Sequence, residues 1–398
     1  MKFPKHLILA TIVFVSGWRL VLFAVGAAAQ HLLKYAPQFP YATTLLPLYN
    51  LPQWVYSWCN FDGVHYLTIS EHGYIGFGLI QAFFPVFPFT MRAVNVLLNN
   101  TIISGLVISF VSSLAMALSW LWLLSFEKRQ LPWFKSLLVL FLFPTSFFLV
   151  AVYNESLFLT LVILTFIAAR KGWWWVTSIT IALATATRIV GVFLIPALIL
   201  ELLLQTAQQQ QLPLTFKNLA QVIREVLLRQ WPALGFISLG LVGIGLYMSF
   251  LWTEFKDALY FLHVQAEFGA GRQETIILYP QVLWRYVKIL ITYRPFNFAY
   301  YSLIQEAVAG TVPLLFLLLN NKYIRPSYLL FSLGAFLLPT LTGTFSSMSR
   351  YILVCFGIYI VILKLLDKKP YWFAVYILLS TAWLIFNTIL FIQGYWVA

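Results

Sequence analysis

A short stretch of the sequence, residues 58–74, carries a carboxylate and an imidazole at helical spacing. Asp62 and His65 are three positions apart, so on a helix they share one face. A carboxylate beside an imidazole suits general acid–base chemistry, and the apolar residues around them predict an amphipathic helix at a membrane interface. An alternative of equal weight is that Asp62 caps an ordinary interfacial helix. A metal site of Asp62, His65 and His72 is disfavoured, because this spacing fits no standard metal motif.

Three further charged residues, Glu155, Arg188 and Arg350, interrupt long apolar runs. A carboxylate at the end of two apolar spans is costly unless it is wetted or paired. Guanidinium groups bind phosphate through charge-assisted and often bidentate hydrogen bonds. Each arginine taken alone is better explained as a helix-end anchor that snorkels to the interface. If the set meets Asp62 on one face, it favours binding of an anionic headgroup such as a lipid phosphate.

The segment 81–88 contains two prolines three positions apart, Pro85 and Pro88. Proline breaks helices and restricts the preceding residue to extended conformations, so this pair predicts a rigid entry to the next helix. The functional alternative is that Phe84, Pro85 and Pro88 form a wall of an acceptor or lipid groove.

The composition determines what kind of protein positions these residues. The hydrophobic fraction is 61% and the mean hydropathy is +0.86, against roughly 45–50% apolar residues in a soluble domain. The apolar surplus must face lipid, and its long continuous runs predict membrane helices. The net charge of +13 comes from sparse loop residues, which indicate topology and lipid contacts rather than nucleic acid. Cys59 and Cys355 form neither a disulfide framework nor a zinc motif.

Hydropathy predicts an all-α polytopic protein with about eleven spans of roughly 20 residues. The first is interpreted as an uncleaved helix, in preference to a signal peptide cleaved after Ala29. The segments at 157–169 and 173–187 are short and could be tilted, broken or re-entrant. The predicted spans cover residues 7–29, 101–126, 133–152, 157–169, 173–187, 189–204, 231–252, 301–319, 327–341, 351–366 and 371–392.

An N-terminus in the cytoplasm places every short basic cluster on the cytoplasmic side, as the positive-inside rule requires. These clusters are Lys2/Lys5, Lys128/Arg129/Lys135, Arg170/Lys171, Lys217/Arg224/Arg229, Lys322/Arg325 and Lys364/Lys368/Lys369. The opposite side receives two long loops, and long loops are usually functional or disordered. The chain is therefore predicted as one integral membrane domain, 1–398, with a first extracytoplasmic loop at 30–99 that holds the catalytic motif, a cytoplasmic loop at 205–230 and a second extracytoplasmic loop at 253–300.

Together these motifs resemble the PIG-V family, the GPI mannosyltransferase 2 proteins and their prokaryotic relatives in the GT-C superfamily. The segment 61–66 is similar to the family's Trp-Asp-x-x-His-Phe element, with Phe61 in place of the Trp and Tyr66 in place of the Phe. The chain is shorter than typical eukaryotic members, which favours a prokaryotic relative. Further similar elements stand in order at 73–74, 83–88, 153–158, 188–191 and 347–351.

The resemblance implies a GT-C fold and transfer of a sugar, mannose in this family, from a polyprenyl-phosphate donor on the non-cytoplasmic face. It implies that Asp62 is the catalytic base, and we expect His65 to orient it. Donor phosphate and sugar would bind Arg188, Arg350, Glu155 and Tyr351, and the acceptor would be a lipid or glycan. Attack opposite the phosphate would invert the anomeric centre. No obligatory metal is predicted, because a lipid-phosphate leaving group carries less charge than a nucleotide diphosphate and the chain has no Asp-x-Asp motif.

The expected location is the plasma (inner) membrane with an extracytoplasmic active site, or the endoplasmic reticulum in a eukaryote. A transporter or flippase for a lipid-linked or anionic substrate is the competing class. It predicts inverted repeats and charges near the bilayer midplane. A third possibility is a non-catalytic assembly subunit, in which Asp62 would tolerate replacement by Asn.

Overall fold

The computed structural model describes residues 4–127, 131–269 and 271–397. Within these ranges the chain is helical and contains no strand. The α-helices are α1 (Lys5–Leu32), α2 (Gln53–Tyr56), α3 (Asp62–His72), α4 (Val86–Leu98), α5 (Thr101–Leu124), α6 (Trp133–Phe141), α7 (Glu155–Arg170), α8 (Trp174–Thr185), α9 (Leu194–Gln209), α10 (Phe216–Arg229), α11 (Trp231–Leu239), α12 (Val242–Phe255), α13 (Tyr260–His263), α14 (Tyr279–Thr292), α15 (Phe298–Leu319), α16 (Pro326–Thr340), α17 (Met348–Tyr351), α18 (Gly357–Leu366) and α19 (Pro370–Ile392). Short 3₁₀ helices cover Leu46–Tyr49, Ser57–Cys59, Ile80–Ala82, Ser146–Leu149, Ile189–Phe193, Val264–Phe268, Asn321–Tyr323 and Ile352–Val354.

Six helical segments of the described chain are long and apolar enough to cross a membrane. A seventh is added if Met348–Val354 and Gly357–Leu366, bent by 75° at their junction, count as one broken span. The prediction of an all-α polytopic membrane protein is confirmed, whereas the count of about eleven spans is not. The six are Lys5–Leu32, Thr101–Leu124, Ile189–Gln209, Trp231–Phe255, Phe298–Leu319 and Pro370–Ile392.

The count differs because an apolar helix can be buried in protein as well as in lipid. The predicted span at 157–169 belongs to α7, whose 16 residues rise about 24 Å, less than the roughly 30 Å hydrocarbon core. Most of its side chains are buried, between α5, α8 and α9. The predicted spans at 173–187 and 327–341 are likewise helices of 12 and 15 residues. Hydropathy alone does not separate such short or buried helices from helices that cross the membrane.

Basic residues assigned to the cytoplasmic side meet at one end of the helix bundle. Lys364 of α18 donates to Glu127 Oε2 at 2.5 Å and to the Tyr323 carbonyl at 2.8 Å. Lys135 of α6 donates to the Asp367 carbonyl at 3.1 Å. The loops after α5, α15 and α18 therefore lie together, which is the arrangement that the charge pattern predicts. Three residues of the same prediction lie outside the described part of the chain: Lys2, Lys128 and Arg129.

The segment 142–154, between α6 and α7, contains only the short 3₁₀ helix Ser146–Leu149 and is otherwise irregular; most of it is buried. Away from water, each of its carbonyl groups needs an internal donor. Arg19 of α1 donates to Val150 at 3.1 Å, and on α5 Ser113 donates to Leu149 at 3.0 Å. The hydroxyl of Ser109, also on α5, donates to the Ala151 carbonyl at 2.7 Å. Polar side chains of α1 and α5 thus hold in place a segment that has no α-helix of its own.

Replacing Ser109 by Ala should destabilise the protein by about 0.5–1.5 kcal/mol, because the Ala151 carbonyl then loses one of its two donors and keeps only the Tyr153 N–H at 2.8 Å. The measurement is the thermal unfolding midpoint of the purified protein in detergent. Ser112→Ala on the same helix is the matched control, since the Ser112 side chain is buried and makes no hydrogen bond in the described chain. Equal midpoints for the two variants would contradict this account of the segment.

Candidate active site

Asp62 is the first residue of α3 and follows a residue with an unusual backbone conformation. Phe61 has φ +57°, and its ring packs against Phe39 and Trp396 at centroid distances of 4.6 and 5.3 Å. The Asp62 backbone N–H donates to the Tyr153 hydroxyl at 3.1 Å. The capping alternative is wrong, because Phe61 occupies the cap position and makes no side-chain cap hydrogen bond. The Asp62 carboxylate turns instead toward Arg350.

Helix α3 is largely covered by protein. Val64, Tyr66, Leu67 and Ile69 are all buried, and the helix packs against α4 and α5. These contacts fix the position of Asp62 at the start of the helix. The location of α3 at the membrane interface stays a prediction.

His65 lies near Asp62 without bonding to it. The imidazole stacks on the Phe83 ring at 4.9 Å and meets the edge of Phe268 at 5.8 Å. No hydrogen bond to the Asp62 carboxylate occurs in the described chain, so an orienting role would act through charge and packing. Burial lowers the pKa of His65, and the Asp62 carboxylate offsets this only in part. His72 is exposed, with its ring stacked on Phe77.

Four charged side chains from distant parts of the sequence form one buried network. Arg350 Nη1 donates to Asp62 Oδ2, and Arg350 Nε lies 3.4 Å from Glu155 Oε1. Arg188 Nη1 lies 2.5 Å from the same Glu155 oxygen and 3.0 Å from Asn154 Oδ1. The positive and negative charges alternate. The sequence predicted that these four residues would converge, and in the structure they lie together.

Burial and aromatic rings strengthen this network. The Glu155 side chain is 1% exposed and the Arg188 side chain 8%, and buried charges of this kind require partners. The Tyr351 ring lies 4.9 Å from the Arg188 guanidinium and 5.8 Å from that of Arg350. A ring face attracts a cation at such distances. Tyr351, predicted to contact the donor, is therefore in position to orient both arginines.

Asp62 lies outside the candidate membrane spans, and its charge state follows from the groups around it. Burial alone would raise the pKa of this carboxyl group. The charge and hydrogen bond of Arg350 act in the opposite direction, with help from His65 and Arg272, so the pKa lies below its usual 3.8. Asp62 is accordingly a carboxylate at neutral pH and is available as a proton acceptor.

A cavity of about 300 Å³ opens beside the network; we call it the charged cavity. Its polar lining includes Asp62, Arg188 and Arg350, together with Tyr351. The rest of the lining is mixed. Its polar part includes Thr187, Gln265, Arg272 and Glu274, and its apolar wall consists of Ala82, Phe83, Phe84, Ile189, Val190, Phe261, Leu262, Phe268, Ile276, Leu338, Pro339 and Leu341. Such a space suits a molecule with a charged head and an apolar chain. In the described chain, no group of three His, Cys, Asp or Glu residues is placed to hold a metal ion.

The predicted helix break at the two prolines is only partly correct. Pro85 precedes α4, but Pro88 is the third residue of that helix. Amide groups of a first turn have no intrahelical partner, so proline is tolerated there. Of the three predicted groove residues, Phe84 lines the charged cavity, whereas Pro85 and Pro88 are not part of its described lining.

Arg188 is positioned by a close approach of backbone at Gly191. The Arg188 N–H donates to the Ala184 carbonyl at 3.0 Å, and the Gly191 N–H donates to the Arg188 carbonyl at 3.0 Å. A Cβ at position 191 would lie 2.8 Å from the Ala184 oxygen and 2.9 Å from the Thr185 nitrogen. The Arg-x-x-Gly spacing therefore has a steric cause, since only glycine lets this turn pack on α8.

Sequence reasoning missed Arg272, which also lines the charged cavity. It belongs to the predicted second outer loop and is followed by Gln273 and Glu274, which line the cavity as well. The available signal was a pair of glycines beside a polar triplet: Gly269 and Gly271 have φ of +71° and +73°. Glycine is the usual residue at such positions, so the sequence indicates a turn at Arg272.

The fold and the site define a multi-pass helical membrane protein with a buried carboxylate–arginine network facing an amphiphilic cavity. The family model described as "Mannosyltransferase (PIG-V)" matches residues 50–256, which is more than half of the chain. The chain belongs to this family of mannosyltransferases. The match includes Asp62, Glu155 and Arg188 and ends before Arg272 and Arg350. No curated protein and no solved structure matches the chain.

Proposed function

We propose that the protein transfers a mannosyl group from a polyprenyl-phosphate donor to a hydroxyl of a lipid or glycan acceptor on the non-cytoplasmic face of its membrane. Membership of the mannosyltransferase family supports the sugar and the reaction class. The observation that carries the proposal is the charged cavity, in which Asp62, Arg188 and Arg350 meet an apolar wall. A sugar linked through phosphate to a lipid has the same division into polar and apolar parts.

In the proposed reaction, the acceptor hydroxyl oxygen forms a bond to the anomeric carbon, and Asp62 takes the hydroxyl proton. The bond from the anomeric carbon to the phosphate oxygen breaks, and the lipid phosphate leaves with the electron pair. Attack from the side opposite the phosphate inverts the anomeric centre. General base catalysis, alignment of the reacting atoms and charge stabilisation each contribute to such a reaction.

The arginines would stabilise the phosphate as its negative charge grows. Arg188 uses Nη1 for its contacts with Glu155 and Asn154, which leaves its other donor nitrogens without a protein acceptor in the described chain. A phosphate beside Arg350 competes with Asp62 for the same guanidinium. This competition would weaken the ion pair between Asp62 and Arg350, and so would make the Asp62 carboxylate a stronger base when the donor is bound.

The test is transfer of radiolabelled mannose from a polyprenyl-phosphate donor by the purified protein in lipid vesicles. The acceptor is a lipid extract of cells that lack the protein. We expect labelled acceptor and free polyprenyl phosphate in equal amounts. Label transfer from a nucleotide-linked mannose alone would overturn the proposed donor. Movement of the intact donor across the vesicle membrane without any transfer would indicate a flippase instead.

A further inference from the structure

We propose that Arg272 makes the first contact with the donor phosphate, ahead of Arg188 and Arg350. This inference rests on the proposed function and names the residue that recognises the phosphate in the charged cavity. All three arginines line this cavity. Arg188 and Arg350 already pair with carboxylates, at Glu155 and Asp62. Arg272 has no carboxylate within ion-pairing distance among the residues that the structure describes.

The contacts of Arg272 leave most of its donor groups uncommitted. Its Nη2 lies 3.5 Å from the Ser347 hydroxyl oxygen, at the long limit for a hydrogen bond. The guanidinium lies over the Phe268 ring at 5.7 Å. A guanidinium carries five N–H donors, so a phosphate can bind here without displacing an internal ion pair. The same phosphate at Arg350 would have to compete with Asp62.

The loop that carries Arg272 is fixed to the segment before α17. Arg285 Nη1 donates to the carbonyls of Gly271 and Gly343, both at 3.0 Å. The Gln273 N–H donates to the Thr342 carbonyl at 2.9 Å. Arg350 lies on α17, which follows this segment. The hydrogen bonds therefore fix the backbone position of Arg272 relative to that of Arg350. A site positioned in this way loses little freedom when a ligand binds.

The charges around the charged cavity agree with this assignment. In the buried network, the carboxylates of Asp62 and Glu155 balance the guanidiniums of Arg188 and Arg350. Arg272 adds one positive charge next to this balanced set. Two further carboxylates lie near it: Glu274 is exposed, and the buried Glu306 acts on Arg272 through charge without forming an ion pair, while it accepts hydrogen bonds from Tyr286 and Trp396. A sugar phosphodiester carries one negative charge, which Arg272 can match. The ligand class is therefore a phosphate ester, and the apolar wall favours one that carries a lipid chain.

The experiment compares Arg272→Gln and Arg272→Lys in the transfer assay with a polyprenyl-phosphate mannose donor. Loss of a charge-assisted contact should raise the donor KM about ten- to a hundredfold, with a much smaller effect on kcat. Lysine keeps the charge and should recover much of the loss. Lys288→Gln removes an exposed cation from the same outer segment and should leave KM unchanged. An unchanged KM in Arg272→Gln, with transfer intact, would overturn the inference.

A second measurement separates this inference from the proposed function. Direct binding of polyprenyl phosphate and of inorganic phosphate is measured on the wild type and on Arg272→Gln. We expect the wild type to bind the lipid phosphate far better than the inorganic ion, and the variant to lose this binding. That result supports Arg272 even if no transfer is detected, in which case only the proposed reaction fails. Equal binding of polyprenyl phosphate by the two proteins would overturn the role of Arg272.

Discussion

Replacing Asp62 by Asn should abolish mannosyl transfer while the protein still folds and inserts. Asparagine has the same shape and still offers an oxygen to Arg350, but it cannot accept the acceptor's proton. Loss of a general base typically lowers the rate by about 10²–10⁴-fold. The measurement is the initial rate of label transfer, together with the thermal unfolding midpoint of the same preparation.

Asp257→Asn is the matched control for this substitution. Asp257 lies on the second long loop and pairs with His263 at 2.5 Å, outside the described lining of the charged cavity. It should retain the wild-type transfer rate. Near wild-type turnover by Asp62→Asn would exclude Asp62 as the base. A wild-type protein without any transfer activity would favour the alternative of a non-catalytic assembly subunit.

Replacing Glu155 by Gln should lower both the stability of the protein and its transfer rate. The carboxylate holds Arg188 directly and lies beside Arg350, and all three side chains are less than one tenth exposed. Removing one partner from a buried ion pair costs about 3–5 kcal/mol, because the remaining charge is left uncompensated. The thermal unfolding midpoint in detergent is the primary measurement.

Glu225→Gln makes the same change in a surface pair. Glu225 contacts Arg229 at 3.0 Å, one turn along α10, and the arginine is largely exposed. Such pairs contribute only about 0.3–0.5 kcal/mol, so this variant should unfold at nearly the wild-type midpoint. If Glu155→Gln unfolds there too but loses transfer, Glu155 acts on the sugar and not as the support of the two arginines.

The sequence was sufficient for the fold class and for much of the site. Long apolar runs require membrane helices. Because charged residues are scarce, each one that interrupts an apolar run is informative. Glu155, Arg188 and Arg350 stood out for this reason, and the alternation of basic clusters placed them on one side with Asp62. The structure joins these four residues in one network, although Asp62 and Arg350 are 288 positions apart.

The remaining features depend on packing, which hydropathy does not report. The segment at 157–169 is apolar and is covered by other helices. Hydropathy gives such a segment the same signal as a membrane span. The pairing of Asp62 with Arg350, in place of a helix cap, is a contact between distant segments. Arg272 lies in a loop whose local sequence indicates only a turn, and its position at the charged cavity follows from hydrogen bonds to residues 341–343.

The alternating charges of the buried network have a kinetic consequence. The charges of Asp62, Glu155, Arg188 and Arg350 sum to zero, so this cluster by itself adds little to the long-range attraction of anions from water. The proposed donor, anchored in the bilayer, would not need such attraction. It would reach the site by diffusing in the plane of the membrane, where its local concentration is already high.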